Sequence, residues 1–299
     1  MRIGVCSIQR NRAPYIKEWV LFHFLLGVRF FYIGLHECDD NSDEILIDLS
    51  RKINITIVKV PEKTKTFFQI DFYQFIFDRY KNEVDWMAFI DGDEFLYPTQ
   101  EHCLQDVLSK IQNNKRSALA VYWSCFGSSF HEKEPEGLVT ENFKYCAPVN
   151  FGPNRHIKSI VNTARDRLVR VENPHLFITS FGTYDEQDRL ITEASSDHLP
   201  TYEQIGINHY VCQSREFFVK TKQPQSLSQG MIQRSEEFWL VHDRNEILCK
   251  RIDRFIPRLK ELYQSLTEPK NSLLHEIFLG FHIGLKRNRI INLPKDYVE

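Results

Sequence analysis

Trp86-Met87-Ala88-Phe89-Ile90-Asp91-Gly92-Asp93-Glu94 is the stretch on which the reading of this chain turns. Five apolar residues form a short buried strand, and three carboxylates follow at its mouth. Upstream, residues 2–8 (apolar at Ile3, Val5 and Ile8), Phe30-Phe31-Tyr32-Ile33 and Ile53–Val58 also read as strands. Between the first two the period turns helical: Ile16, Trp19, Val20, His23 and Leu26 recur between Pro14 and Gly27. A short helix at 44–50 and a helical stretch at 66–81 fill the other gaps. Alternating strand and helix predicts a parallel α/β sheet with right-handed crossovers. Ligands of such sheets bind beyond the carboxyl ends of the strands. This puts Arg10–Arg12, Asp39–Ser42 and Asp91–Glu94 on one rim.

Downstream the pattern predicts a helix at 101–112, a strand at 118–123 and a long irregular stretch from 124 to 156. Loops of that length are commonly functional. Short strands are expected at 157–162, 167–171 and 205–211, and mostly helix from 213. Ile247, Ile252, Phe255, Ile256, Leu259 and Tyr263 suggest a helix over 246–264, with Pro257 kinking or breaking it. Leu273 to Arg289 has the composition of a packed terminal helix or of one lying in a membrane interface.

Lys and Arg number 38 against 40 Asp and Glu, which leaves no basic excess for a nucleic-acid partner. The seven cysteines are an odd number and contain no C-x-x-C pair, so neither a disulfide framework nor a zinc ribbon is expected. No apolar run reaches the ~18 residues of a membrane span, and the N-terminus lacks a signal-peptide core. The expectation is a cytoplasmic protein that can touch a membrane surface.

Asp91 and Asp93 are two apart, so on an extended segment both would point the same way. Hard carboxylate oxygens in that pattern suit Mn²⁺ or Mg²⁺. An EF-hand loop starting at Asp91 fails because its twelfth position is His102 rather than Glu. A metal-dependent phosphatase fits less well, since Phe95 stands where such enzymes usually carry Thr or Val. No G-x-x-x-x-G-K-[ST] loop is present. A sugar-nucleotide glycosyltransferase fits, because a divalent ion stabilises the departing nucleoside diphosphate.

Further motifs agree. Asn11 with Ala13-Pro14-Tyr15-Ile16-Lys17-Glu18-Trp19, then His23 and Leu26-Gly27-Val28, is followed by Phe31-Tyr32-Ile33 and Asp40-Asn41-Ser42-Asp43. Gln69 and Tyr73 precede Trp86–Phe95. Trp123 with Phe126-Gly127-Ser128-Ser129, Gly137-Leu138-Val139 with Glu141, and Lys158-Ser159-Ile160-Val161 come next. Asn208-His209-Tyr210, Ser214, Glu216, Phe218 and Lys220 close the series. In number and order these resemble glycosyltransferase family 92, the former domain of unknown function 23, and the related family-2-like bacterial enzymes, from near Cys6 to about residue 255. Two departures are Arg12, where the family pattern prefers Glu, and His36-Glu37-Cys38 in place of a Tyr-Asp entry.

The resemblance implies the glycosyltransferase A fold: an α/β, Rossmann-like, mostly parallel sheet with a C-terminal helical extension. Residues 1–230 would form the catalytic domain, and 231–299 would pack on it. It implies metal-dependent, inverting transfer of a hexose, galactose by preference, from a UDP-sugar to a saccharide or lipid-linked saccharide in surface-glycan synthesis. Such an enzyme would be cytoplasmic and could be peripheral to an inner membrane. A catalytically silent nucleotide- or glycan-binding protein on the same fold is the alternative.

In this reading Asp91, Asp93 and His209 hold the metal, with His175 the rival third ligand. Arg10, Asn11, Arg12, Asp40 (or Asp39), Gln69, Tyr73, Asp91, Lys158 and Lys220 bind the donor. Glu141 is the general base, ahead of Glu132, Glu134 and Glu136. Trp123 and Phe126 stack on acceptor sugars.

Overall fold

The computed structural model describes residues 1–61, 68–111, 116–166, 168–224, 234–266 and 289–294. β1 (Ile3–Gln9) leads to α1 (Ala13–Leu25), β2 (Phe30–His36) to α2 (Ser42–Ser50), and β3 (Ile55–Val60) to α3 (Phe68–Tyr80) and β4 (Trp86–Phe89). β1 pairs in parallel with β2 and β4, and β2 with β3. The expected alternation is therefore real. The carboxyl ends of β1, β2 and β4 share one rim.

Beyond the acidic turn, β5 (Glu94–Pro98), α4 (Leu104–Ile111) and β6 (Ala118–Cys125) follow. The long connection carries a one-turn α5 (Val139–Asn142) and β7 (Tyr145–Cys146). β8 (Ile157–Asn162) then inserts antiparallel between β4 and β6. β9 (Thr183–Tyr184), β10 (Leu190–Ile191) and β11 (Ile205–His209) complete this side, and α6 is the short Arg215–Phe217. The sheet runs β10-β9-β6-β8-β4-β1-β2-β3-β13, with β11 joining β6 to β5. Its last strand, β13 (Arg289–Asn292), adds in parallel to β3. α7 (Glu236–His242), β12 (Ile247–Leu248) and α8 (Ile256–Ser265) form the rest of the C-terminal part. β12 pairs with β7 in a separate ribbon, and α8 lies against α1.

Two expectations need correction, and one strand, β5, is additional. The helix expected at 246–264 begins only at Ile256, and Pro257 sits in its first turn. A proline there gives up no helical hydrogen bond, so it starts the helix instead of breaking it. The strand at 167–171 reduces to one bridge, Arg170 with Ile178, Arg167 being outside the described residues. β5 is hidden in the sequence because its residues follow the acidic turn directly and lack a boundary of their own. Most of Leu273–Arg289 lies outside the described residues; Arg289 itself opens β13. Among the described residues no helix is long and apolar enough to cross a membrane.

α1 explains how the free edge of β5 is satisfied. Trp19 and His23 are four apart and lie on one helix face. Trp19 Nε1 donates to the Glu94 carbonyl at 2.8 Å, and Leu96 N–H donates to His23 Nε2 at 3.1 Å. His23 Nδ1 donates to the Trp19 carbonyl at 2.8 Å. Both side chains are fully buried. Glu18, one residue before Trp19, turns the other way. Its carboxylate accepts the N–H of Val139 at 2.7 Å and of Thr140 at 2.9 Å, which pins the long connection to α1. Burial raises its pKa to about 7. At the far end of that connection, Gly127 N–H donates to the Arg244 carbonyl at 3.0 Å. A Cβ on Gly127 would lie 2.6 Å from that carbonyl oxygen, so the Phe126-Gly127-Ser128-Ser129 motif serves as a clamp on the C-terminal part.

His23 makes the fold acid-labile. Burial lowers its pKa from 6.5 to about 3. A base with a lowered folded pKa contributes stability that is complete above about 6.5 and is lost as pH falls toward 3. The change in denaturant midpoint from pH 7.5 to pH 5 is expected to be more favourable in His23→Gln than in the parent, because buried Glu18 and Glu94, whose pKa values are raised, act in the opposite sense in both proteins. The same change in both proteins would contradict this account.

Candidate functional site

The residues after β4 turn instead of staying extended. Glu94 folds back so that Asp91 N–H donates to its Oε2 at 2.8 Å, and Glu94 N–H donates to the Asp91 carbonyl at 3.1 Å. A Cβ on Gly92 at the tip would meet Gln9 Cδ at 2.7 Å, so a larger residue there has to displace the Gln9 side chain. The shared orientation expected of Asp91 and Asp93 is therefore replaced by two separate environments on one cavity wall.

Asp91 accepts from Lys158 Nζ at 2.8 Å, Gln69 Nε2 at 2.8 Å and Tyr73 OH at 3.3 Å. Burial opposes its charge, but the Lys158 ammonium overrides this and holds the carboxyl below its usual range. Lys158 is itself fully buried on β8, and its Nζ lies 3.7 Å from Glu94. Glu94 beneath the turn is pushed well up by burial.

Asp93 divides its oxygens. Oδ2 accepts from Lys222 Nζ at 2.6 Å and lies 3.5 Å from Arg12 Nη2, while Oδ1 lies 3.8 Å from His209 Nε2. Burial again opposes the charge, and Lys222 and Arg12 again override it. Lys222 spends its other protons on the carbonyls of Tyr210, at 2.9 Å, and Val211. Arg12 also donates to Gln213 Oε1 at 3.1 Å, and Arg234 to the Lys222 carbonyl at 3.1 Å.

These groups line a cavity of about 440 Å³ together with Gln9, Arg10, Trp123 and five histidines at 36, 156, 175, 209 and 242. That volume suits a small organic ligand. Carbonyls can only accept, so three tautomers are fixed by geometry. His156, His175 and His242 donate from Nδ1 to the carbonyls of Pro153 at 3.1 Å, Ile157 at 3.0 Å and Phe238 at 2.9 Å. Each therefore keeps a bare Nε2. Burial lowers all three pKa values, that of His175 to about 3, and lowers His209 to about 3 as well. Trp123 packs against His209 and His156, with ring centroids 4.2 and 5.1 Å away. Its Nε1 is buried with no hydrogen-bond partner among the described residues.

Of the residues singled out in the sequence, Arg10, Arg12, Gln69, Asp91, Asp93, Trp123, His175 and His209 line this cavity. Tyr73 reaches it through Asp91, and Lys158 stands beneath it. The others lie elsewhere. Asn11, in a left-handed turn with φ 49°, accepts the Asp39 N–H. Asp40 accepts the N–H groups of Ala13 at 2.8 Å and Ser42 at 3.1 Å, and so ties α1 to α2. Phe126 is core, packed on Tyr210. Glu141 faces outward and pairs with Lys260 at 2.9 Å; Glu132, Glu134 and Glu136 do not line the cavity either. Lys220 is exposed and pairs with Glu216 at 2.6 Å. A π-helical turn over Phe218–Lys222 brings Lys222 to Asp93 in its place. Lys220-Thr221-Lys222 offers two identical ammoniums, and only that turn selects between them. Arg234, His156 and His242 had no local signal either.

Two carboxylates and the neutral imidazole of His209 are donors that fit Mn²⁺ or Mg²⁺. The face of Asp93 toward His209 is the side its lysine leaves free. Among the described residues no group of three or more such side chains is already gathered as a metal centre.

The pair of the fully buried Lys158 with the part-exposed Asp91 can be tested by stability. Lys158→Met leaves that carboxylate without its cation and should cost about 1–3 kcal/mol, less than breaking a fully buried pair because Asp91 keeps contact with solvent. Adding Asp91→Asn should recover part of that loss. Denaturant titration of the four proteins checks this, and additive losses would refute the coupling.

Comparison with known proteins accords with the resemblance. The model of glycosyltransferase family 92 matches residues 2–239. A glycosyltransferase family 92 protein of Oryza sativa subsp. japonica is 32% identical over 159 residues, covering 52% of this chain and 26% of that protein. One of Arabidopsis thaliana is 30% identical over 234 residues, covering 72% of this chain and 36% of that protein. The chain thus spans 26–36% of the length of these curated relatives. Among solved structures, S. aureus TarS 1–349 in complex with UDP has a TM-score of 0.35 at 15% identity, over 55% of this chain and 47% of that one. The same protein with UDP-GlcNAc has a TM-score of 0.36 at 15% identity, over 55% and 46%. With a family match running from residue 2 to residue 239, this chain belongs to glycosyltransferase family 92.

Proposed function

We propose that this protein is an inverting glycosyltransferase that moves a hexose from a UDP-sugar to a saccharide acceptor with the help of Mn²⁺ or Mg²⁺. UDP-galactose is the first donor to test. Family membership supports the reaction class. The observation that carries the reading is the cavity itself: D-x-D at the carboxyl ends of β1, β2 and β4, faced by buried cations that suit a diphosphate.

Asp91, Asp93 and His209 would hold the cation, which would supply charge stabilisation for the departing nucleoside diphosphate. Gln69 and Tyr73 orient Asp91, and Lys158 keeps it ionised. Arg12 and Arg234 offer donors to the phosphate oxygens, while Lys222, whose three protons are committed, adds only its charge. Arg10, held by Glu37 at 2.6 Å, stands at the β1 end of the cavity. Trp123 offers an aromatic face to a sugar ring.

The acceptor hydroxyl must lose a proton as it attacks. Glu141 points away, and the described carboxylates lining the cavity are Asp91 and Asp93. We assign the proton to a neutral imidazole with a bare Nε2, with His175 ahead of His156 and His242 because the Asp91 charge favours its protonated form against the burial that lowers its pKa to about 3. The acceptor remains a saccharide in this reading, lipid-linked if the protein works at a membrane surface.

Nucleoside-diphosphate release from a panel of sugar nucleotides tests the donor. Release from one UDP-sugar is expected, abolished by EDTA and reduced about a hundredfold or more in Asp93→Asn. Phosphate release from simple phosphate esters instead would indicate a phosphatase. Once an acceptor is found, His175→Gln should lower kcat about 10²–10⁴-fold while leaving UDP affinity nearly unchanged. An unchanged kcat would remove His175 from the mechanism.

A further inference from the structure

Among the described residues, the charges around the cavity do not balance. Arg12, Lys158, Lys222 and Arg234 converge on Asp91 and Asp93. Arg10 is matched separately by Glu37. Glu94 lies beneath the turn with no exposed surface, and counting it as ionised still leaves the cations in excess. The histidines add no negative charge. Lys222 is also built in: a carboxylate and two backbone carbonyls hold its ammonium, and it is almost fully buried. A divalent cation approaching the free protein therefore meets fixed ammonium and guanidinium groups around the same carboxylates. A diphosphate meets the opposite field.

We infer that the cavity is an anion site first, in which Arg12 and Arg234, in the field of the Lys222 charge, receive the donor's diphosphate without metal, and that the divalent cation binds strongly only to the nucleotide complex. This rests on the nucleotide-sugar reading above and extends it to the regulation of the same site. The diphosphate cancels the excess positive charge and supplies oxygen ligands, so each partner strengthens the other. By linkage the gain is equal in both directions. The free protein then does not bind the cation before the donor arrives.

Calorimetry on the full chain tests this with three probes: UDP, inorganic pyrophosphate and Mn²⁺, the last also followed by its electron-spin resonance signal. UDP and pyrophosphate are expected to bind in EDTA. Mn²⁺ alone is expected to bind only at about millimolar concentration, and at least about tenfold more tightly with UDP present. Arg234→Gln should weaken UDP binding in EDTA about tenfold, the worth of one charge-assisted hydrogen bond. Arg12→Gln gives an independent check should the first variant fail to fold. Mn²⁺ binding equally well to the free protein, or UDP binding only with Mn²⁺, would overturn the inference. Pyrophosphate binding as tightly as UDP and every other nucleoside diphosphate would keep the anion site but refute the nucleotide donor. No binding by UDP or pyrophosphate under any condition would sink both.

Discussion

The ammonium of Lys158 is the constraint on which the site depends. A fully buried charge is costly unless it is paired, and Lys158 is paired with Asp91 and stands near Glu94. That pairing requires β8 to run antiparallel between β4 and β6, a break in an otherwise parallel half-sheet. It also requires the chain to turn at Gly92, which brings Glu94 back under Asp91. Once β5 begins inside that turn, its free edge needs partners, and Trp19 and His23 of α1 supply them. The antiparallel β8, the turn and the α1 residues that cap β5 thus meet around one ion pair.

The cavity above it combines two kinds of surface. One is a charged floor, where two carboxylates are held ionised against burial by Lys158, Lys222 and Arg12. The other is an aromatic wall of Trp123 and neutral imidazoles whose tautomers are set by backbone carbonyls. Charge of this kind suits phosphates and a divalent ion, while flat rings with bare nitrogens suit hydroxyl-rich sugar faces. Both occur within one space of about 440 Å³. The Phe126–Ser129 clamp and the Glu18 anchor hold the long connection to the C-terminal part and to α1, and those motif residues do not line this space.

Much of the fold was legible in the sequence because its signals are local. Apolar runs bounded by Gly, Pro and polar turns marked β1 to β4 and α1 to α3. Asp91 and Asp93 stood out because three carboxylates directly follow a buried strand. The failures share another cause. A proline inside a helix breaks it, but the effect of Pro257 is decided by its position in the first turn. Glu141 and Lys220 lay in the right blocks of sequence, but each found an exposed partner, Lys260 and Glu216, on its own side of the chain.

The sequence by itself determined the alternation of strand and helix, the rim on which ligands meet the sheet, and the acidic turn at its centre. Periodicity and strand-end chemistry are properties of neighbouring residues. Only the tertiary structure decided which cations face those carboxylates. Lys158, Lys222, Arg12 and Arg234 are far apart in the chain, and each is chosen by strand pairing, a π-helical turn or a helix start. It also decided the protonation of the histidines, because a ring nitrogen's proton follows from the carbonyl it meets and from burial, and neither is written in the spacing of residues.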